Sequence, residues 1–543
     1  MAVILIAFAV MLIWCIFLNK ISTKIGVPSL LLFIIYGMIS GQLDNEVYSY
    51  EELYSNTCDL CTIALIFIMF YGGFGTKWKT AKPVIVESSL LATLGVFLTA
   101  GLIGTYFHFV RGWDYPESIL IGAVISSTDA ASVFSILRTK NLGLKYNTAP
   151  MLEIESGSND PCSYMLTIIM LSFLQGNVSG GQIVGMIVSQ LVFGAGIGLA
   201  IAWIVIKILK RYRLPEGFDM MFFVGIALLS YALPSLEFIN GNGYLSTYIV
   251  GIVLGNTEFR NRKGIVHFFD GTTSLAQICI FFYLGYICTP KDLISLDVLL
   301  PAISIFAVLT LIARPITVAA ILLPFKKYRE HMNQIGLISF VGLRGAASIV
   351  FAIMTLTIGK DIELGHDIFN IVFVIVLISI LLQGSLIPYA SKKFNMIDKN
   401  ADVRHTFTDF SENSDISFGR IELEEDSKWV GKIIKELYLP KSMLISLIIR
   451  GKQHIVPKGH TQLQAGDKII FSSKTYTNET ENNIFEHQLS ENSIWIGKRI
   501  KDYPYKDGAQ VLMIKRGKET LIPNGETVLH KNDVLVILKD EYL

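Results

Sequence analysis

The chain has 543 residues, 52% of them hydrophobic and only 17% charged, with a mean hydropathy of +0.51. Soluble proteins carry roughly 25% charged residues, so an ordinary soluble protein is excluded for most of this chain. A formal net charge of +1 provides no general attraction to nucleic acid, and no such partner is expected.

The apolar residues are placed unevenly. Residues 1–392 hold long apolar runs and read as a polytopic membrane domain in contact with lipid. Residues 393–417 read as a linker, and 418–476 and 484–543 as two small domains of a soluble tail. Candidate spans of about 20 apolar residues start near residues 2, 27, 58, 84, 117, 150, 182, 218, 243, 273, 297, 333 and 366, thirteen in all. The first run, Met1 to Leu18, lacks a basic lead and a small-residue cleavage site, so it is expected to be a span and not a removable signal. Cys58 and Cys61 form a lone C-x-x-C with no second ligand pair, and are expected to pack. Glu87, one turn into its span, reads as a charge at a helix N-terminus. His108 and His267 are expected in solvent.

The loops orient the spans. With the N-terminus outside, the inner loops hold 18 Lys and Arg residues, from Lys20 and Lys24 to Lys326, Lys327 and Arg329. The outer loops hold three, Arg111, Lys291 and Lys360. That asymmetry is a strong positive-inside signal and places the tail in the cytoplasm.

Span five contains Ser126-Ser127-Thr128-Asp129-Ala130-Ala131-Ser132, and span twelve Gly342-Leu343-Arg344-Gly345-Ala346-Ala347-Ser348. Each interrupts an apolar helix with polar or Gly residues before an Ala-Ala-Ser run. Seven spans separate them, an odd number, so two six-span halves would lie inverted in the membrane. Paired interrupted helices of this kind point to a transporter site near the midplane. The fold class expected is therefore an all-α membrane domain with two inverted six-helix repeats and crossed interrupted helices, followed by α+β lobes.

Span six carries Glu155-Ser156-Gly157-Ser158-Asn159-Asp160-Pro161. Ionisable groups at that depth mark an ion or proton path. Glu155 and Asn159 share a helix face at i, i+4, and Pro161 removes a backbone donor. A short polar turn is the bland alternative for this stretch alone. Span seven holds Gly194-Ala195-Gly196-Ile197-Gly198, which neither follows a strand nor opens a helix, so a dinucleotide site is excluded there.

Asp129, Glu155 and Asp160 oppose Arg314 and Arg344, which leaves about one negative charge if all are ionised. One monovalent cation or one proton would neutralise it. Such competition predicts an electroneutral one-for-one exchanger, in which Asp160 carries the exchanging ion. Asp129 and Asn159 would orient it or share the cation. Ser156 and backbone carbonyls near Thr128 would supply oxygen ligands for Na⁺ or K⁺. Glu155 reads as half of a structural ion pair, with Arg344 and Arg314 both open as partners. Snorkelling to the interface is an equal reading of Arg314.

Two other function classes compete with this one. A hydrolase using Ser156 or Ser158 lacks a His or Lys at membrane depth to activate it, so no enzyme is expected and no cofactor. A ligand-gated potassium channel, or a potassium-uptake subunit with such a tail, needs a filter such as T-V-G-Y-G. Asn242-Gly243-Tyr244 is a poor substitute.

The tail repeats at an offset of 66 residues. Trp429/Trp495, Gly431/Gly497, Lys432/Lys498, Arg450/Arg516, Gly451/Gly517, Pro457/Pro523, Gly459/Gly525 and Asp467/Asp533 coincide. Each copy shows strand-like runs, an Arg-Gly-Lys turn and a Pro-x-Gly turn. No G-x-G-x-x-G occurs in the tail.

Ser-Thr-Asp, Glu-Ser-Gly-Ser-Asn-Asp-Pro, Ala-Arg-Pro and Gly-Leu-Arg-Gly-Ala together resemble the monovalent cation:proton antiporters of the CPA1 type. The Gly-Ser-Asn-Asp-Pro form is most similar to the bacterial potassium/proton branch, and the tail resembles two TrkA-C (RCK C-lobe) domains. The resemblance implies thirteen helices in a dimer-forming panel and a moving core, a homodimer in the bacterial cytoplasmic membrane, and an elevator motion. It implies Asp160 as the ion carrier with Asn159 as companion, and Ser156, Thr128 and Asp129 lining the site. Glu155 would pair with Arg344 or Arg314. It also implies a small-molecule regulator on the tail, a nucleotide or cyclic dinucleotide. Two departures stand out: Tyr71-Gly72-Gly73 replaces a carboxylate before paired glycines, and no Rossmann lobe precedes the TrkA-C copies.

Overall fold

The structure is a computed structural model. It describes the chain apart from residues 1, 26–27, 44–49, 141, 177, 179, 213–214, 216, 258, 260–261, 360–364 and 399–415, and, in the tail, 424–426, 428, 438, 440–442, 452, 475–483, 490–492, 494, 503–508, 517–518, 522, 524 and 540–543. It divides into two units, Met1–Ser411 and Glu412–Leu543.

The first unit is helical, as apolar runs must be where no water satisfies a backbone. It begins with α1 (Ala2–Ile25), α2 (Ser29–Leu43), α3 (Tyr50–Gly75) and the single turn α4 (Trp78–Ala81). Next come α5 (Ile85–Ala92), α6 (Leu94–Arg111), α7 (Tyr115–Val124), α8 (Ala130–Thr139), strand β1 (Gly143–Leu144) and α9 (Thr148–Leu174). The middle is α10 (Gly180–Arg211), α11 (Phe218–Ala232), α12 (Gly243–Gly255) and α13 (Arg262–Tyr286). After α14 (Pro290–Leu293) run α15 (Leu296–Val308), α16 (Arg314–Leu322), α17 (Lys326–Arg329), α18 (Met332–Phe340) and α19 (Ala346–Thr357). The unit closes with α20 (Gly365–Ile378), α21 (Gly384–Lys393) and strand β2 (Ile397–Asp398).

All thirteen segments expected as spans carry helix. Among the described residues, seven helical stretches are long and apolar enough to cross a membrane. They are Leu5–Ser22, Glu52–Gly75, Ile85–Arg111, Gly180–Arg211, Gly264–Tyr286, Leu296–Leu322 and Gly365–Lys393. Helix α9 has 27 residues, but its polar stretch lowers its hydropathy. Spans five and twelve are broken where expected: α8 and α19 each start on the Ala of Ala-Ala-Ser, and the residues before them are not helical.

Glycines set the closest helix contacts. A Cβ at Gly73 would overlap the Tyr248 carbonyl oxygen, and at Gly255 that of Phe74, so α3 and α12 touch backbone to backbone. Gly37, Gly41 and Gly285 do the same for α2 and α13. Two π-helical turns, Leu309–Ala313 and Ser379–Gln383, interrupt the last long segments. Such turns often accompany functional sites.

Several sequence expectations are corrected. Glu87 does sit in the first turn of α5, but it is buried and paired with Lys327 Nζ at 2.5 Å. His108 is half-buried, its Nδ1 2.6 Å from the Trp113 carbonyl oxygen, whereas His267 is exposed. Residues 397 and 398, read as linker, pair with a strand of the helical unit. Gly143 and Leu144 pair antiparallel with Asp398 and Ile397, and the Lys145 amide donates to the Met396 carbonyl at 2.9 Å. The part of the linker at 399–415 lies outside the described residues. Cys58 and Cys61 are buried, unbridged packing residues.

The second unit holds two antiparallel four-stranded sheets of the same order. One is β3 (Ile416–Glu422), β4 (Met443–Arg450), β5 (Gln453–Ile455) and β6 (Lys468–Lys474), ordered β3-β6-β4-β5. The other is β7 (Ile484–Gln488), β8 (Ala509–Arg516), β9 (Glu519–Leu521) and β10 (Val534–Lys539), ordered β7-β10-β8-β9. Among the described residues each lobe has one 3₁₀ turn, Ile434–Glu436 or Ile500–Asp502, and no α-helix.

The repeat residues explain each other. Arg450 donates from Nε and Nη2 to both Asp467 carboxylate oxygens at 2.8 Å, and Arg516 does so to Asp533. Burial pushes Asp467 and Asp533 up, but the guanidinium and the Gln464 or His530 amide outweigh it and hold both below the ordinary carboxylate range.

Two tests follow from this packing. Gly73→Ala should cost about 1–3 kcal/mol by overpacking, seen as a lower melting temperature in detergent. Gly72→Ala, which faces open space, should leave melting unchanged. In the tail, Arg450→Ala or Arg516→Ala strands a buried carboxylate. Because the arginine side chains are 31% and 29% exposed, the cost should be on the order of 2–3 kcal/mol, below the usual range for fully buried pairs. Faster amide exchange in that sheet of the full-length protein measures it. The native carboxylate pKa is depressed, so this stabilisation is present above about pH 4 and is lost as pH falls through the lower native value.

Candidate functional site

The two breaks meet. The Asp129 amide donates to the Leu343 carbonyl at 2.8 Å, and Arg344 Nη1 donates to the Ser127 carbonyl at 2.8 Å. Unwound backbone in a dry interior must find partners, and here each break supplies some of the other's. A Cβ at Gly345 would overlap the Asp129 carboxylate, which is why span twelve needs glycine there.

Helix α9 supplies the rest. Asn159 Nδ2 donates to Thr128 Oγ1 at 2.6 Å, and Asn159 Oδ1 accepts from the Thr128 amide at 3.3 Å. Ser156 Oγ donates to the Thr128 carbonyl at 2.5 Å. Asn159 and Ser156 thus replace the helical partners that Thr128 lost. Ser127 Oγ donates to Asp160 Oδ1. Asp160 is 7% exposed and Asn159 1%. These contacts join Thr128, Ser156, Asn159 and Asp160 in one cluster.

Two of the expected site groups have protein partners. The carbonyls near Thr128 were expected to be free for a cation. That of Thr128 accepts from Ser156 and that of Ser127 from Arg344, because a bare carbonyl at this depth is costly. Asp129, expected to orient Asp160 or share the cation, caps α8: its Oδ1 accepts from the Ser132 amide at 3.1 Å and its Oδ2 from Ser132 Oγ at 2.5 Å.

The partner of Glu155, left open by the sequence, is Arg314. Their charged groups are in direct contact, with side chains 1% and 5% exposed. Snorkelling of Arg314 to the interface is therefore excluded, and Gly342 makes room for its guanidinium. Arg344, 1% exposed, takes a different position. Its amide donates to Ser379 Oγ at 3.0 Å and its guanidinium spans to Ser127.

Sequence reasoning missed three supports. Ser127 holds Asp160. Ser379 donates to Gln383 Oε1 at 2.6 Å, and Gln383 Nε2 donates to the Phe340 carbonyl at 3.2 Å. Polar residues isolated in the apolar run of span thirteen were the available signal. The residues weighed as a channel filter are packed: Asn242 caps α12 through Leu245 and donates to the Pro161 carbonyl at 2.7 Å. Among the described residues no His, Cys, Asp and Glu cluster could hold a resident metal.

Against this geometry, the sodium/hydrogen exchanger transmembrane model matches residues 6–393. The chain belongs to the sodium/hydrogen exchanger family. The TrkA-C model matches residues 418–475 and 484–539. Among curated relatives, the K(+)/H(+) antiporter NhaP2 of Shewanella sp. (strain MR-4) is 31% identical over 475 residues, 86% of this chain and 80% of the relative. The K(+)/H(+) antiporter NhaP of Alkalimonas amylolytica is 31% identical over 460 residues, 84% of this chain and 78% of the relative. The solved sodium proton antiporter MjNhaP1 of Methanocaldococcus jannaschii has a TM-score of 0.64 at 24% identity, covering 73% of this chain and 99% of its own. It supports the fold.

Breaking the ion pair one residue at a time should be costly. Glu155→Gln or Arg314→Met alone each strands a buried charge or its partner, at about 3–5 kcal/mol. The double variant should recover much of that melting temperature.

Proposed function

We propose that the chain is a secondary active antiporter that exchanges K⁺ or Na⁺ for H⁺ across the bacterial cytoplasmic membrane. The observation that carries this is Asp160, a buried carboxylate held by Ser127 at the crossing of two broken helices. Glu155 and Arg314 neutralise each other there. Arg344 stands against Asp160 and Asp129, which leaves one negative charge for one cation or one proton. That count supports one-for-one, electroneutral exchange. In this reading Asp160 carries either ion, Asn159, Thr128 and Ser156 hold the broken backbone beside it, and Asp129 adds charge while capping α8. The K(+)/H(+) names of the two relatives at 31% identity favour K⁺ as the cation.

The same reading has thirteen spans, an external N-terminus, inverted halves and a cytoplasmic tail, as the loop charges support. It assembles as a homodimer, and its TrkA-C lobes take a nucleotide or cyclic dinucleotide that regulates transport.

Cation-driven dequenching of a pH dye in proteoliposomes tests it. Wild type should move protons when K⁺ is added, with the same rate under clamped and unclamped potential. Asp160→Asn should abolish the signal. K⁺ flux without proton movement, surviving in Asp160→Asn, would overturn the antiporter reading.

A further inference from the structure

Helix α10 has 32 residues. At 1.5 Å per residue it is about 48 Å long, well beyond the roughly 30 Å of a bilayer's hydrocarbon core. Val188, Val192, Leu199 and Trp203 are exposed on one face, and Lys207 and Lys210 continue that face at helical spacing. The opposite face is fixed. A Cβ at Gly194 or Gly198 would overlap the Asn242 or Ser246 backbone of α12, so the helix cannot turn its exposed stripe inward. That stripe faces lipid.

Its C-terminal end is built from aromatic and basic groups. Lys207 Nζ lies 3.5 Å from the centre of the Trp203 ring, and Arg211 Cζ lies 6.0 Å from that of Tyr212. Trp and Tyr at the end of an apolar span sit at the headgroup level of a membrane. Lys207, Lys210 and Arg211 are exposed, and among the described residues none of them pairs with a carboxylate. Basic side chains on other loops read as internal are engaged by the protein itself. Lys327 pairs with Glu87, Lys145 donates to the Asn395 carbonyl at 3.0 Å, and Arg329 Nε to the Leu323 carbonyl at 2.8 Å. The α10 end thus presents three uncompensated cations directly below a lipid-facing stripe.

We propose that the C-terminal end of α10 is a binding site for an anionic phospholipid. Lys207, Lys210 and Arg211 hold the headgroup phosphate, and the Trp203 indole anchors just above it. The acyl chains lie along Leu199, Val192 and Val188. A zwitterionic lipid brings its own ammonium to the same place and is held less well.

The test uses the full-length protein purified in detergent, with phosphatidylglycerol or phosphatidylcholine added and retained lipid counted by native mass spectrometry. Wild type should retain phosphatidylglycerol over phosphatidylcholine, and its melting temperature should rise with phosphatidylglycerol. Lys207→Gln/Lys210→Gln/Arg211→Gln should lower phosphatidylglycerol retention on the order of tenfold and lose that rise. Its melting without lipid should match wild type. Lys140→Gln/Lys392→Gln/Lys393→Gln removes the same charge from the exposed ends of α8 and α21, and should retain lipid as wild type does. Equal losses in the two triple variants would reduce the effect to overall surface charge and overturn the proposal. Equal retention of both lipids by wild type would do the same. A first triple variant that melts lower without lipid yet keeps phosphatidylglycerol would also overturn it, since the cations would then serve the helix C-terminus.

Discussion

Everything at the centre of this protein follows from one constraint: two helices are unwound where no bulk water can satisfy them. Each broken stretch exposes amides and carbonyls that cost several kcal/mol if left bare. The fold answers with partners of specific shape. Asn159 takes the amide and hydroxyl of Thr128, Ser156 its carbonyl, Arg344 the carbonyl of Ser127, and Asp129 and Leu343 close the crossing. The residues that repair the backbone stand beside Asp160, so the buried carboxylate and the structural repair share one set of side chains.

This sharing explains why the pattern was legible. Polar residues inside apolar runs are rare, and Ser127-Thr128-Asp129, Glu155 to Asp160, and Arg344 all stood out. The break positions, the Ala-Ala-Ser starts of α8 and α19, and the repeat of Arg450 with Asp467 as Arg516 with Asp533 could be read directly. The partner choice of Glu155 could not. Both arginines lie in later spans at unknown depth, and only packing brings Arg314 across Gly342 and sends Arg344 toward Ser127.

Other features left fainter traces. The π turns at Leu309–Ala313 and Ser379–Gln383 change no residue type and leave hydropathy untouched. They are visible in sequence only as stray polar residues such as Ser379 and Gln383. The free carbonyls expected beside Thr128 were a reasonable inference from a helix break. The Ser156 hydroxyl holds that of Thr128 and the Arg344 guanidinium that of Ser127.

The two-stranded pairing of β1 with β2 gives the end of the helical unit a mechanical address. The chain leaves α21, turns through Asn395 in a left-handed conformation, and is stitched at Ile397 and Asp398 to Leu144 and Gly143. Tyr146 and Asn147, both also left-handed, then lead directly into α9. Asp398 is joined by hydrogen bonds, through β1, to the root of the helix that bears Glu155, Asn159 and Asp160.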